Sequence, residues 1–482
     1  MTQSFTPLPQ APEVPRLLRA LGRPEAMAIV VGNVIGSGIF LKPGGVAQQL
    51  DSVSLILLVW LVGGVLSLLG ALTLAELAAM LPRAGGLYVF LREAYGPAVA
   101  FLWGWTDFFI VRPASIGALA VAFVDNVPIG GALPPVGHTV AVIALIASLA
   151  GVNVAGVIWG GRVQDLTTVL KAGFLIVIAV LPFALVRFEF AYLSPVVPAS
   201  LPADFATRFG IAMLAVMWAY NGWHSVANVA EEIREPQRNL PVSLCAGVGI
   251  LIVLYMTVNL AYHVVLPVEE MARHGEQAAV AVADRLMGST GARLIGVVIL
   301  VSTFGALNCN LLVYPRIYFA MARDGIFFRR LARVHPRYHT PAGAIIAQTV
   351  LASAAVLLAR LEVHVLVAGW FRDLGWVKPA AYDAFAKASV FDLLTNLVIF
   401  GASIFYTLAV ASVIVLRRRR PDLERPYRTY GYPWVPAAFV VSYIWFLWRI
   451  FDGERAGALV GIAMILTGLP AYAVWRARRS TE

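Results

Sequence analysis

Long apolar blocks, one after another, fix what this chain can become. A run of roughly 20 apolar residues suffices to carry a helix across the hydrocarbon core of a bilayer. Twelve such blocks fall at residues 26–50, 54–81, 97–124, 137–158, 164–187, 206–230, 241–266, 291–320, 341–359, 390–416, 434–450 and 456–475. Helices and closed barrels alone satisfy every backbone group in lipid, and blocks of this length demand helices. With only 13% of residues charged, the surface of a soluble domain could not be built. The expectation is an all-α polytopic membrane protein of twelve transmembrane spans, with no cleavable leader in the Pro-rich segment holding Pro7, Pro9, Pro12 and Pro15.

The net charge of +10 does not signal nucleic acid. Arginine collects between alternate spans, in the clusters Arg316 to Arg337 and Arg417 to Arg428 and in the tail Arg476, Arg478 and Arg479, as the positive-inside rule requires. The partner this implies is the lipid bilayer, with both termini cytoplasmic in a multi-pass cell-membrane protein. Cys245 and Cys309 both fall in apolar blocks and make neither a metal pattern nor a disulfide framework. No cofactor is expected, and no enzyme: there is no His-Glu-x-x-His motif and no Gly-x-Ser-x-Gly elbow.

The first span carries an interruption, Gly32-Asn-Val-Ile-Gly-Ser-Gly-Ile-Phe40, where a membrane helix would ordinarily run unbroken. Glycine loses the most backbone entropy on ordering and weakens a helix. Two readings are open: Gly32 and Gly36 form a Gly-x-x-x-Gly packing face, or the helix is opened around a ligand. The sixth span repeats the feature, with Asn221-Gly222 inside Met217-Trp-Ala-Tyr-Asn-Gly-Trp-His224. Interruptions in the first and sixth spans fit two five-helix halves, and paired breaks are the best sequence pointer to a transporter's binding site.

An opened helix offers free N–H groups to an anion and free carbonyls to a cation. Together they describe a receptor for the zwitterionic head of an amino acid. Gly36, Ser37 and Gly38 would supply the donors, and the carbonyls of Val34, Trp218 and Asn221 would face the amine. The substrate-binding set is Val34, Ile35, Gly36, Ser37 and Gly38 with Trp218, Ala219, Tyr220 and Asn221.

Other polar residues lie within or at the ends of spans. Lys171 sits nine residues past Arg162, about 13 Å along a helix; it either snorkels or ties span 1 to span 8 near Ser302 and Thr303. Asp107 and Arg112, just before Pro113, either neutralise each other or form a charge network by the permeation path. Glu231 and Glu232 either pair with Arg316 and Arg323 as an inner gate or lie in a solvated loop. His224 either carries a proton or is merely hydrogen-bonded. Residues 82–96 read as a Gly/Pro-punctuated connection. Residues 360–389, with Trp370, Phe371 and Trp376, read as an interfacial helix, either an outer lid or a passive surface element.

The ordered set resembles the amino acid–polyamine–organocation superfamily, especially its L-type amino acid transporter branch and bacterial relatives. The resemblance rests on Ile35-Gly-Ser-Gly-Ile-Phe40, on Ala71-Leu-Thr-Leu-Ala-Glu76 running to Pro82-Arg-Ala-Gly-Gly86, on Arg112-Pro113 and on Val163-Gln-Asp165 with Lys171. It continues through Trp218-Ala-Tyr-Asn-Gly-Trp223, Glu231-Glu232, Arg238-Asn-Leu-Pro241, Ser302-Thr-Phe-Gly305, Arg316, Arg323 to Gly325 and Arg425-Pro426. It implies a LeuT-type inverted repeat, with a first half at 25–187, a second at 206–416, two further helices at 434–476, and tails at 1–24 and 477–482. It further implies that Ser37 and Gly38 hold a carboxylate, that Trp218 gates the site, and that Lys171 with Ser302 and Thr303 stands in for sodium. Asn221, His224 and Ser225 depart from the branch pattern. Residues 125–136 lack the cysteine that joins animal L-type carriers to a heavy chain, so no such partner is expected. The expected function is sodium-independent transport of small or medium neutral amino acids by exchange or proton coupling. The alternatives are a cationic amino acid or polyamine carrier, and a membrane sensor that binds without transporting.

Overall fold

The computed structural model describes residues 17, 19–128, 133–185, 193, 196–198 and 200–480. The expected tails, 1–24 and 477–482, therefore lie partly outside the described residues. Within these, the regular elements are helices joined by turns and loops, with one isolated bridge between Leu21 and Ile233. Eleven helices among the described residues are long and apolar enough to cross a membrane. The sixth expected span is shorter as a straight helix: Phe205–Ala219 has 15 residues because the chain leaves the helix at Tyr220 and resumes as a 3-10 turn at Ser225–Glu232.

Prolines start many of these helices. Pro97, Pro135, Pro236 and Pro315 occupy first-turn positions, where the missing N–H would be unpaired anyway and the fixed φ suits a helix. Pro113 is handled differently. The third span changes to a π-helical turn over Asp107–Val111 before Arg112–Asn126 continues. The wider turn accommodates the proline ring and brings Asp107 and Arg112, five residues apart, onto one face.

Burial divides the helices into two sets. The first, third, eighth and tenth spans are mostly enclosed, while the fourth, fifth, ninth, eleventh and twelfth keep a broad exposed face. Trp159, Leu166, Val169 and Val177 lie exposed along Val157–Leu185; on a membrane helix such a face meets lipid. The Pro236–Val265 helix packs along Val53–Met80 and against Arg23–Val34, bracing the interrupted first span.

The connections hold more structure than their composition shows. Residues 82–96 contain a helix, Leu87–Tyr95, entered through Gly85 and Gly86 at φ +107° and +46°, where a side chain would be strained. Residues 360–389 form two short helices, Val363–Asp373 and Pro379–Ala386, joined by Arg372 lying 4.4 Å over the Tyr382 ring. Both pack on Arg455–Leu466.

Candidate functional site

The first helix runs over Arg23–Val34, is non-helical at Ile35, Gly36 and Ser37, and resumes at Gly38–Leu41. The sixth segment opens from Tyr220 to His224. The two breaks touch. A Cβ added at Gly38 would stand 2.7 Å from the Ala219 Cβ and 3.0 Å from its backbone nitrogen, so glycine is required for this approach. The indole of Trp218 donates to the Ser37 hydroxyl at 3.2 Å.

In this opened turn the backbone N–H groups of Gly36, Ser37 and Gly38 make no hydrogen bond among the described residues. The carbonyls are mostly taken. Ser302 Oγ lies 3.2 Å and 3.0 Å from the carbonyls of Ile35 and Gly36. The Tyr255 hydroxyl lies 3.1 Å from the Val34 carbonyl and 3.2 Å from that of Ala219, one on each opened segment. The Trp218 carbonyl accepts the Asn221 N–H. Of the three carbonyls expected to face an amine, that of Asn221 stays open among the described residues, while its side-chain oxygen accepts from the Tyr406 hydroxyl at 3.3 Å.

Asn33 ties the breaks to the rest of the bundle. Its amide donates to the Gly222 carbonyl at 3.3 Å and to the Tyr314 hydroxyl at 3.0 Å, and its oxygen accepts from Asn310 at 3.3 Å. Gly222 has φ +104°, and an added Cβ would run into Asn33. Sequence reasoning passed over Asn33, Tyr255, Asn310, Tyr314 and Tyr406. A usable signal was present: polar residues within apolar spans are costly and must find partners.

Lys171 is fully buried and its ammonium donates to the Gly32 carbonyl in the first span. Gly305 in the eighth span leaves room for it, since an added Cβ would lie 3.2 Å from Lys171 Nζ. Thr303 instead turns its hydroxyl back to the Ile299 carbonyl of its own helix at 2.7 Å. Arg112 Nε meets Asp107 Oδ1 at 2.8 Å with both side chains buried. Tyr318 donates to Asp107 Oδ2 at 2.9 Å, Arg112 also reaches Asn310 Oδ1 at 3.0 Å, and its guanidinium lies 3.4 Å over the Tyr314 ring. His224 is buried against Tyr406, ring centroids 4.6 Å apart, and neither ring nitrogen has a hydrogen-bond partner among the described residues.

Charged pairs lie on both sides of the breaks. Toward Leu21, Arg316 Nε meets Glu232 Oε1 at 2.9 Å with both side chains buried, and Arg323 makes two 3.0 Å bonds to Glu231. Burial pushes the Glu231 carboxyl up, but the Arg323 bonds, the Ala84 N–H and the positive charge of Arg323 outweigh it and hold the group below the usual carboxylate value. On the far side Trp218 meets Phe391 edge-on at 6.0 Å, Lys42 lies 4.5 Å over Phe391, and Lys42 Nζ contacts Asp392 at 2.6 Å. Among the described residues no group of three His, Cys, Asp or Glu side chains is placed to hold a metal ion.

The profile of the amino acid permease family matches residues 21–472. The chain is 33% identical over 472 residues to the serine/threonine exchanger SteT of Bacillus subtilis (strain 168), covering 96% of this chain and 98% of that protein. It is 29% identical over 474 residues to the cystine/glutamate transporter of Homo sapiens, covering 96% and 86%. It is also 29% identical over 468 residues to the large neutral amino acids transporter small subunit 2 of Mus musculus, covering 95% and 81%. The chain is thus a multi-pass membrane protein of the amino acid permease family, within the amino acid–polyamine–organocation superfamily.

Proposed function

We propose that the chain is a sodium-independent secondary transporter that exchanges small or medium neutral L-amino acids across the cell membrane by alternating access. The observation that carries this reading is the opened turn of Gly36, Ser37 and Gly38, whose N–H groups have no partner among the described residues and whose Gly38 packs against Ala219, where the helix before the second break ends. A carboxylate fits those donors, and the Asn221 carbonyl is available to the amine. Lys171 donates from its amino group to the first-span backbone, occupying the position that an ion takes in a sodium-coupled carrier. Asp107 is committed to Arg112 and Tyr318, which leaves it unable to balance a cationic side chain and favours neutral substrates. The Bacillus subtilis relative, named as an exchanger, favours exchange over proton coupling. The reading includes two five-helix repeats, 25–187 and 206–416, both termini cytoplasmic, and action without a disulfide-linked heavy chain.

The test is uptake into proteoliposomes. Labelled serine, threonine, alanine or leucine should enter when unlabelled amino acid is inside, and replacing sodium with choline should not slow it. Folded protein that moves no amino acid from a broad panel would overturn the proposal, and binding without flux would indicate a sensor.

A further inference from the structure

Beside the Lys42–Asp392 pair lies a cavity of about 230 Å³, bounded by Pro43–Gln49, Phe205–Ala219, the start of Val390–Arg419 and the turn between the last two spans. It is separate from the opened helices, because no residue from Val34 to Gly38 or from Trp218 to Asn221 lines it. One wall is apolar, with Ile211, Leu214, Leu397, Phe400 and Ile450. The rim carries Lys42, Asp392 and Glu454.

The rim's charges do not balance. Lys42 is committed to Asp392 at 2.6 Å and to the Phe391 ring. Asp392 also accepts from Ser389 at 3.1 Å, yet its side chain remains 43% exposed. The Glu454 carboxylate makes no hydrogen bond or ion pair among the described residues. Glu276 stands beside the same pair, accepting from Ser389 Oγ at 3.3 Å, so the carboxylates around Lys42 outnumber its one ammonium. Burial first, and then the neighbouring Asp392 charge, push the Glu454 carboxyl up, as follows for an acid with no cation of its own. A pocket with an apolar wall and a few polar groups on one side fixes the orientation of an amphipathic ligand.

We propose that this cavity is a second ligand site, distinct from the opened helices, for a small organic cation with an apolar body. The ammonium lies between Glu454 and Asp392, and the apolar part rests on Leu214 and Phe400. Access is compatible with the geometry at Gly45, which lines the cavity and where an added Cβ meets no heavy atom within 4 Å.

The test is calorimetric titration of the purified full chain with 2-phenylethylamine, beside 2-phenylethanol, which has the same shape and no charge. The amine should bind, and the alcohol should bind about tenfold or more weakly. Glu454→Gln should weaken the amine about tenfold or more, since removing one partner of a desolvated charge pair leaves the other uncompensated. The same variant should leave amino acid binding unchanged. Gly45→Phe, which fills open space, should abolish amine binding and so tests the site by a second route. Equal affinity for amine and alcohol, unchanged amine binding in both variants, or simple displacement of the amine by a bound amino acid would each overturn the proposal. The readout is binding, so it stands or falls apart from the transport assay.

Discussion

Ser37 Oγ accepts a hydrogen bond from Trp218 Nε1 at 3.2 Å, joining the opened turn of the first span to the last helical turn before the second break. The indole is thereby tied to the turn whose N–H groups have no partner among the described residues. Trp218→Phe keeps an aromatic ring and removes the bond. A net neutral hydrogen bond contributes about 0.5–1.5 kcal/mol, so amino acid affinity should fall about two- to tenfold while maximal exchange is less affected. Equilibrium binding and exchange kinetics on the same preparation check this.

Gly38 allows no such latitude. With Ala219 atoms at 2.7 Å and 3.0 Å from an added Cβ, Gly38→Val must push the two opened segments apart. Binding of amino acids should be lost in calorimetry, even where gel filtration shows a monodisperse protein. Retained affinity would remove the carboxylate from this turn.

Lys171→Ala should leave the Gly32 carbonyl without its buried partner. An unsatisfied buried group costs about 1–3 kcal/mol, and the same cost on the exchange barrier slows exchange about 5- to 150-fold. Added sodium should not restore the rate if the lysine acts through its fixed position on the first span. An unchanged rate would mean that the ammonium contributes only local packing.

How much of this was legible beforehand differs by type of residue. The spans could be read because lipid imposes a length, and the breaks could be read because glycine and Asn-Gly stand out against an apolar run. Lys171 stood out for the same reason. The partners that hold the breaks did not. Tyr255 belongs to an otherwise ordinary helix, and only the packing of Pro236–Val265 on Arg23–Val34 brings its hydroxyl to Val34 and Ala219. Thr303 looked equivalent to Ser302, yet one helical step turns its hydroxyl back to Ile299. Orientation around a helix axis decides such cases, and a sequence that is apolar on nearly all sides does not encode it.

The two pairs near Leu21 should separate in a stability measurement. Glu232 and Arg316 are both 1% exposed, so Arg316→Met strands a buried carboxylate, and breaking such a pair costs about 3–5 kcal/mol. Arg323 is 44% exposed, and Arg323→Gln should cost about 0–1 kcal/mol. Thermal unfolding in one detergent compares them directly. Similar losses would mean that burial does not control their contribution.

Glu231 gives the pH dependence of the same region. Its folded-state value lies below the ordinary 4.5 because the Arg323 bonds, the Ala84 N–H and the Arg323 charge outweigh burial. A group whose folded value is depressed contributes stability that is complete above its unfolded value and is lost as pH falls through the folded one. The Glu231–Arg323 contribution should therefore be intact at pH 6, begin to decline near 4.5 and disappear below the folded value. Glu231→Gln should flatten that part of the melting-temperature profile, and Arg323→Gln should shift it toward the ordinary carboxylate value. A profile through this range that is identical in wild type and Glu231→Gln would show that the pair does not contribute to acid stability, and would remove it from any account of closure on the side of Leu21.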